Sequence, residues 1–339
     1  MKNRSRLGLA AFGLLAMTCG ALGGTLEDVK ARGVLRCGVA PSAPGFAAKD
    51  AQGTMRGFDI DLCRAIAAAV LGDASKYEVT PLGLRDGFTT LATSGVDVLT
   101  HRFTWTFNRD NGTGLEFVQT MFYDGQGFYV RKASGAKSLK DLDGATICVA
   151  QGSTSELNIA DYFRSHKMQY KIATFADLDE ARNAYDAGRC DAWSNDRGGL
   201  AARGLGLKDR SAHMLLPETI SKEPIGPMVR MGDGAWSHVV RWTMAALIAA
   251  EELGVTSANV EEMHASSANP EVKRLLGVGD DLGQKLGLSA DWSYRIVKQV
   301  GNYGEIYERN VGEKTPLGLS RGLNALWRDG GLIFSPPFR

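Results

Sequence analysis

The sequence has little of what marks an enzyme or a nucleic-acid binder. Its five histidines, at positions 101, 166, 213, 238 and 264, are scattered. None falls in a Ser/His/Asp or Cys/His pattern, so no nucleophilic triad is indicated. No G-x-x-x-x-G-K occurs, and the chain therefore has no P-loop of its own. There is no C-x-x-C and no His/Cys cluster at ligand spacing, which argues against zinc, and no cofactor is expected. An excess of one charge is also missing: 39 Lys and Arg stand against 38 Asp and Glu. That balance makes no electrostatic case for nucleic acid or for an anionic membrane. No internal repeat or low-complexity run is visible, and no run reaches the ~20 apolar residues of a membrane-spanning helix.

What is present begins with a leader. Met1-Lys2-Asn3-Arg4-Ser5-Arg6 is basic, and Leu7 to Met17 is almost without polarity. A basic start and a short apolar run describe a secretory signal peptide, here residues 1–23 with cleavage between Ala21 and Gly24. Ala16-Met17-Thr18 is a poor lipobox for Cys19, so a lipid anchor is not expected. Cleavage takes Lys2, Arg4 and Arg6, leaving 36 basic against 38 acidic residues. The expected location is the periplasm, an oxidising compartment where disulfides persist. Cys37, Cys63, Cys148 and Cys190 fall as an early and a middle pair. Bridges Cys37–Cys63 and Cys148–Cys190 are expected, each worth ~3–4 kcal/mol on the entropic model. Four cysteines allow three pairings and the sequence does not choose among them; buried free thiols are the alternative.

The rest is long enough for two domains of ordinary size. Val34–Val39 reads as a buried strand, followed by a loop forced by Pro41, Pro44 and Gly45. Asp59 can cap a helix from Ile60 to Leu71 that Gly72 stops. Val96–Leu99 is a second strand. The theme repeats with a strand over 145–150, a helix from Thr154 to Ser165 and a helix over 178–187. A strand from Cys190 then ends near Asp196. Strand–helix alternation of this kind means α/β layers. Ser153 with Glu156 three residues on makes a capping box. The final third differs: a long helix over 236–253, then a Gly-rich tail holding Trp292, Tyr303, Tyr307 and Trp327, which reads as packing on a preceding lobe.

Four short segments carry polar chemistry suited to a free α-amino acid. Such a ligand needs a cation with hydroxyl donors for its carboxylate and an acid for its ammonium. Arg109 offers a guanidinium that grips a carboxylate through two parallel bonds, though a solvated arginine paired with Asp110 is the plainer alternative. Thr104 adds a hydroxyl. Thr154 stands at a helix N-terminus, where unpaired N–H groups attract anions, whereas Ser153 spends its hydroxyl on the cap. Asp196 lies just past a strand, with Asp191 as its competitor. Phe46, Trp105, Trp193 and His101 could pack on a ligand, although core packing is the commoner fate of an aromatic.

Taken together, these segments resemble the periplasmic amino-acid-binding proteins of ABC importers, solute-binding protein family 3, and within them the general or polar L-amino-acid branch. The resemblance runs from about Leu26 to Arg339. It is carried by Gly57-Phe58-Asp59-Ile60-Asp61-Leu62-Cys63, Thr104-Trp105-Thr106-Phe107-Asn108-Arg109, Tyr185-Asp186-Ala187-Gly188-Arg189-Cys190-Asp191 and Val300-Gly301-Asn302-Tyr303-Gly304-Glu305, among others. It implies a type II two-lobed α/β fold with two hinge strands and the ligand in the cleft between the lobes. The chain would form a first lobe over 24–126, a second over 127–223 and a return to the first over 224–276. An extension over 277–339 would pack on a lobe. Arg109, Thr104 and Thr154 would take the ligand carboxylate, and Asp196 its ammonium. The resemblance further implies transient docking to ABC permease subunits, a monomer, and no enzymatic activity.

Departures bear on the ligand side chain. Family members often carry a polar residue where Ala40 stands, and binders of cationic amino acids an acid there and an aromatic in place of Ala43. A lysine, arginine or histidine specialist is therefore not expected. General binders tend to read Asn-Thr-Thr before Trp105, where this chain has Arg102-Phe103-Thr104. Arg102 is read as facing the pocket and favouring glutamate or aspartate, with a solvent-facing side chain as the alternative. Two competing functions remain: a cyclohexadienyl-dehydratase-like enzyme, for which Glu223 is the candidate acid, and a sensory amino-acid receptor.

Overall fold

The computed structural model describes residues 24–279 and 281–339. The expected leader, residues 1–23, lies outside them. Two five-stranded sheets form the cores of two lobes. In the first lobe Tyr77–Pro81, Leu35–Val39 and Val98–Leu99 run parallel, and Met228–Arg230 and Leu115–Phe117 extend the sheet antiparallel. The second lobe repeats the plan. Lys171–Phe175, Thr146–Ala150 and Ala192–Asp196 are parallel, and Gln126–Arg131 joins antiparallel, followed by His213–Leu215. Helical crossovers force parallel neighbours within each lobe. The strands that break the rule stand next to the two hinge crossings, and their direction is set by the other lobe. Between the sheets, Phe122–Asp124 and Glu223–Ile225 pair antiparallel as the hinge.

The strand–helix alternation read from the sequence is present, with local differences. The helix Phe58–Leu71 begins two residues early, and its N-cap is Gly57, not Asp59. Gly57 has φ 135°, and a Cβ there would sit 2.1 Å from the Phe46 carbonyl oxygen, so only glycine lets that loop close on the helix start. Asp59 points inward instead. The helix stop at Gly72 is present, with φ 73°. The strand read from Cys190 starts at Ala192, because Cys190 is bonded to Cys148 and Asp191 accepts from the Thr146 N–H at 2.8 Å. The helix Thr154–Ser165 begins and ends where the sequence placed it.

Both expected disulfides form. Cys37–Cys63 ties the first central strand to its helix, and Cys148–Cys190 staples the second lobe. The long helix Gly234–Glu252 shares one apolar cluster with Phe58–Leu71 and with Trp292, Ile296, Tyr303 and Tyr307 of the tail. The tail is thus continuous with the first-lobe core. Among the described residues no helix is long and apolar enough to cross a membrane, and no cluster of three metal donors occurs.

Candidate functional site

A cavity of about 180 Å³ opens where the lobes face each other. That is below the ~300–1,000 Å³ of drug-sized pockets and suits a small metabolite. First-lobe loops supply Arg102, Thr104 and Arg109; the second lobe supplies Ser153, Thr154 and Asp196. These six side chains singled out in the sequence, and His101 with them, therefore line one space. Trp105 is exposed and stacked on Phe117, outside the lining, and two more are core. Trp193 is fully buried, stacked on Tyr129 at 5.8 Å inside the second lobe. Phe46 is buried with Phe58 and Phe122 in the first lobe and reaches the cleft only through the Arg102 guanidinium, 3.9 Å above its ring.

Arg109 is placed by a tight local device. Thr106 caps the short helix Phe107–Gly112, accepting from the Arg109 N–H, and Arg109 Nη1 donates to the Thr104 carbonyl at 3.0 Å. Its guanidinium lies 5.6 Å from the Phe88 centroid and 5.7 Å from that of Phe103. Asp110, its alternative partner, accepts instead from the Phe117 N–H. Among the described residues Arg109 forms no ion pair. Burial lowers its pKa, and Asp196 and Glu223 act to raise it.

Asp196 ends the strand Ala192–Asp196, paired with Gln126 at the hinge exit. Gln126 Nε2 holds Ser194 Oγ at 2.8 Å and the Ser155 carbonyl at 3.1 Å, fixing strand and helix start together. Asp196 is buried, and burial with the charges of Glu223 and Asp124 pushes its pKa up to about 8, against the opposing pull of Arg102 and Arg109. A carboxyl so placed ionises when a cation arrives. Asp191, the competitor, is exposed on the second lobe and outside the cavity lining.

Arg102 faces inward. Its Nη2 bonds Asp124 Oδ2 at 2.7 Å and lies 3.7 Å from Asp196 Oδ2, and Nη1 has no hydrogen-bond partner. Asp124 in turn accepts the Gly198 N–H at the start of the helix Arg197–Gly204. Arg102 is thus committed to the hinge. Behind it Asp59, with Oδ2 unpartnered, has its pKa pushed by burial to about 7.

Glu223 has the largest share of partners. It accepts from Thr104 Oγ1, from Thr154 Oγ1 at 3.2 Å, from Asn158 Nδ2 at 2.8 Å and from Ser221 Oγ at 2.5 Å. The two threonine hydroxyls expected to meet a ligand carboxylate are therefore engaged by this hinge glutamate, and they come from opposite lobes. Ser153 behaves as a cap: its Oγ accepts from the Glu156 N–H at 3.3 Å and donates to Ala150 at 2.7 Å. Glu156 reaches Gly152 N instead of Ser153 N, so the capping box is shifted by one residue. Ser155, one residue on, lines the cavity with an unpartnered buried hydroxyl.

Sequence reasoning passed over Arg203, Asp177, Asp179 and Asn195, which also line the cavity. The available signal was composition: after Arg197, Arg203 is the one charged residue in the helix Arg197–Gly204, whose other residues are small or apolar. His101 lines the wall too, stacked 3.9 Å from Phe103. Burial drives its pKa down to about 3, so it is neutral, and its Nε2 meets the Leu82 carbonyl at 3.0 Å.

Two lobes, two hinge strands and a polar interlobe cavity define a class of hinged ligand-capturing proteins, and the chain belongs to the bacterial extracellular solute-binding proteins, family 3, whose model matches residues 35–260. Among relatives, it is 50% identical over its whole length, and theirs, to the general L-amino acid-binding periplasmic protein AapJ of Rhizobium johnstonii. The same identity and coverage hold for the glutamate/glutamine/aspartate/asparagine-binding protein BztA of Rhodobacter capsulatus. A solved periplasmic binding protein from Brucella ovis with glutathione bound superposes with a TM-score of 0.91 at 50% identity, covering 94% of this chain and 100% of that one.

Proposed function

We propose that this protein is an extracytoplasmic receptor that captures polar L-amino acids, acidic ones among them, between its lobes and delivers them to an ABC permease. The observation that carries the proposal is Arg109. It is a half-buried guanidinium with no carboxylate partner, in the same cavity as a buried, cation-seeking Asp196 on the other lobe. A zwitterion satisfies both at once. Because the two groups belong to different lobes, ligand favours the closed arrangement over the open one. The names of the full-length relatives support the amino-acid class and the periplasmic location. Lobe boundaries at 126/127 and 223/224 and a monomeric state belong to the same proposal.

A binding role is favoured over catalysis by the state of Glu223. The acid considered for a dehydratase is held by four hydroxyl and amide donors, which leaves it no free edge for proton transfer. Turnover of prephenate or arogenate by the purified protein would refute this.

The test is thermal unfolding of ligand-stripped protein against the twenty L-amino acids. A ligand at ~100 times its dissociation constant adds roughly 2.7 kcal/mol. The expected outcome is a rise of several degrees with polar amino acids that disappears in Arg109→Ala. No shift with any amino acid sinks the proposal.

A further inference from the structure

The same cavity has a further set of charged lining residues. On the second lobe it is bounded by Asp177 and Asp179 and by Arg203 of the helix Arg197–Gly204; on the first, by Pro41 and His101. Arg203 is remarkable in no sequence motif, yet its side chain is only 5% exposed. Its Nη2 donates across the cleft to the Pro41 carbonyl at 3.3 Å, and its Nε has no hydrogen-bond partner.

The acids beside it do not meet its Nε closely. Asp179 Oδ1 stands 3.7 Å from Arg203 Nε and 3.0 Å from Arg182 Nη1, so one carboxylate is shared by two guanidiniums. Asp179 is also a third exposed, and water screens what it offers. Asp177 keeps its charge near Arg203, but its Oδ1 is turned to a helix cap, accepting the N–H groups of Asp179 and Glu180 at 2.8 Å each, and makes no bond to the guanidinium. His101, on the facing lobe, is neutral and adds nothing. Burial pulls the pKa of Arg203 down to about 10, which still leaves it charged at neutral pH. A desolvated cation with an unmet donor is costly, and an anion in the cavity relieves that cost.

Asp196 and Arg203 are both buried, and Arg102 acts on both. The acidic-ligand role read from the sequence for Arg102 is hard to sustain, since that guanidinium is bonded to Asp124 and seated on Phe46. Arg203 has no carboxylate within hydrogen-bond distance, its nearest, Asp179, standing 3.7 Å from Nε.

We propose that Arg203 forms a second anion subsite on the second-lobe wall of the cleft, so that the site selects α-amino acids bearing a distal carboxylate over their neutral isosteres. The proposal rests on the amino-acid reading of Arg109 and Asp196. Glutamate and glutamine, which differ by one charge and almost nothing in shape, are the direct comparison. In Arg203→Gln the guanidinium is lost and the chain length nearly kept.

Titration calorimetry of the ligand-stripped, full-length protein decides the matter. Wild type is expected to bind glutamate more tightly than glutamine. Arg203→Gln should weaken glutamate by about tenfold to a hundredfold, the range of one charge-assisted contact, while glutamine changes less than threefold. Arg203→Lys, which keeps the charge but not the fork, should lose part of the preference, and it serves as the second variant if Arg203→Gln does not fold. Equal loss for both ligands would assign Arg203 to closing the cleft through Pro41, and no loss would make it a structural cation; either overturns the proposal. A wild-type protein that binds glutamine as tightly as glutamate overturns it without any variant. Wild type that binds no α-amino acid fails at the earlier step and removes the reading of Arg109 and Asp196 with it. Glutathione is run in parallel: a loss in Arg203→Gln with glutamate supports the proposal, whereas a loss confined to glutathione overturns it for amino-acid side chains and leaves Arg203 to the terminal carboxylate of a peptide.

Discussion

In the proposed site, Asp196 and Arg109 are a buried and a half-buried group that a zwitterion would satisfy. With its pKa near 8, Asp196 is mostly protonated at pH 7 in the free state. A ligand ammonium beside it holds it ionised. Binding at pH 7 should therefore release close to one proton, read as a difference in apparent enthalpy between two buffers of unlike ionisation heat. Zero release would remove the ammonium from Asp196. The same shift governs stability. A carboxyl raised from 3.8 in the unfolded chain to about 8 in the fold stabilises at acid pH, and that contribution drains away as pH rises through the folded value. Asp59, at about 7, acts in the same direction. Between pH 6.5 and 8.5 the ligand-free protein should lose roughly 2 kcal/mol through Asp196. Asp196→Asn should flatten that slope in urea unfolding while abolishing ligand binding. His101 does not disturb this window, because its cost of charging appears only as pH falls below about 6.5.

Among the elements, the hinge strand Glu223–Ile225 and the helix Thr154–Ser165 set the state of the cleft. Glu223 draws on Thr104 from the first lobe, on Thr154 and Asn158 from the second, and on Ser221 between them. A buried network satisfied from both sides acts as a latch. It also competes with a ligand carboxylate for the two threonine hydroxyls. Glu223→Ala should cost the ligand-free protein about 1–3 kcal/mol in urea unfolding, since the remaining donors lose their acceptor. Small-angle scattering of the ligand-free variant should show a more open molecule than wild type. An unchanged radius would mean that the latch does not restrain the lobes.

On the scale of the whole molecule, the C-terminal extension braces the hinge from behind. Asn324 meets both backbone groups of Tyr123 in the hinge strand Phe122–Asp124, accepting its N–H at 2.6 Å and donating to its carbonyl at 3.0 Å. Arg321 and Trp327 fasten the same segment to Glu251 and Glu252 at the end of the long helix. Arg210 of the second lobe reaches the Pro316 carbonyl at 3.1 Å, so the extension touches both sides of the hinge. Asn324→Ala leaves Tyr123 without both bonds. A loss of about 1–3 kcal/mol is expected, a drop of a few degrees in a thermal scan for a chain of this size. Faster proteolytic cleavage at the hinge should accompany it.

The sequence by itself determined the layered α/β plan, because apolar strands alternate with capped, one-faced helices, as in Thr154–Ser165. It pointed to Arg109, Thr104, Thr154 and Asp196 as a chemical set, a guanidinium, hydroxyls and an acid, and these four line one cavity. Which cysteines pair, which aspartate turns inward, and where arginines spend their charge were decided by the tertiary structure. Asp59 looked like a cap and is buried; Phe46 and Trp193 looked like ligand walls and are core. Arg102 and Arg203 are alike in the sequence and both line the cavity, yet one is bonded to Asp124 and the other reaches only a backbone carbonyl, that of Pro41. The physical reason is common to all of these: secondary structure follows from residues a few positions apart, whereas burial and charge pairing depend on groups brought together from opposite lobes.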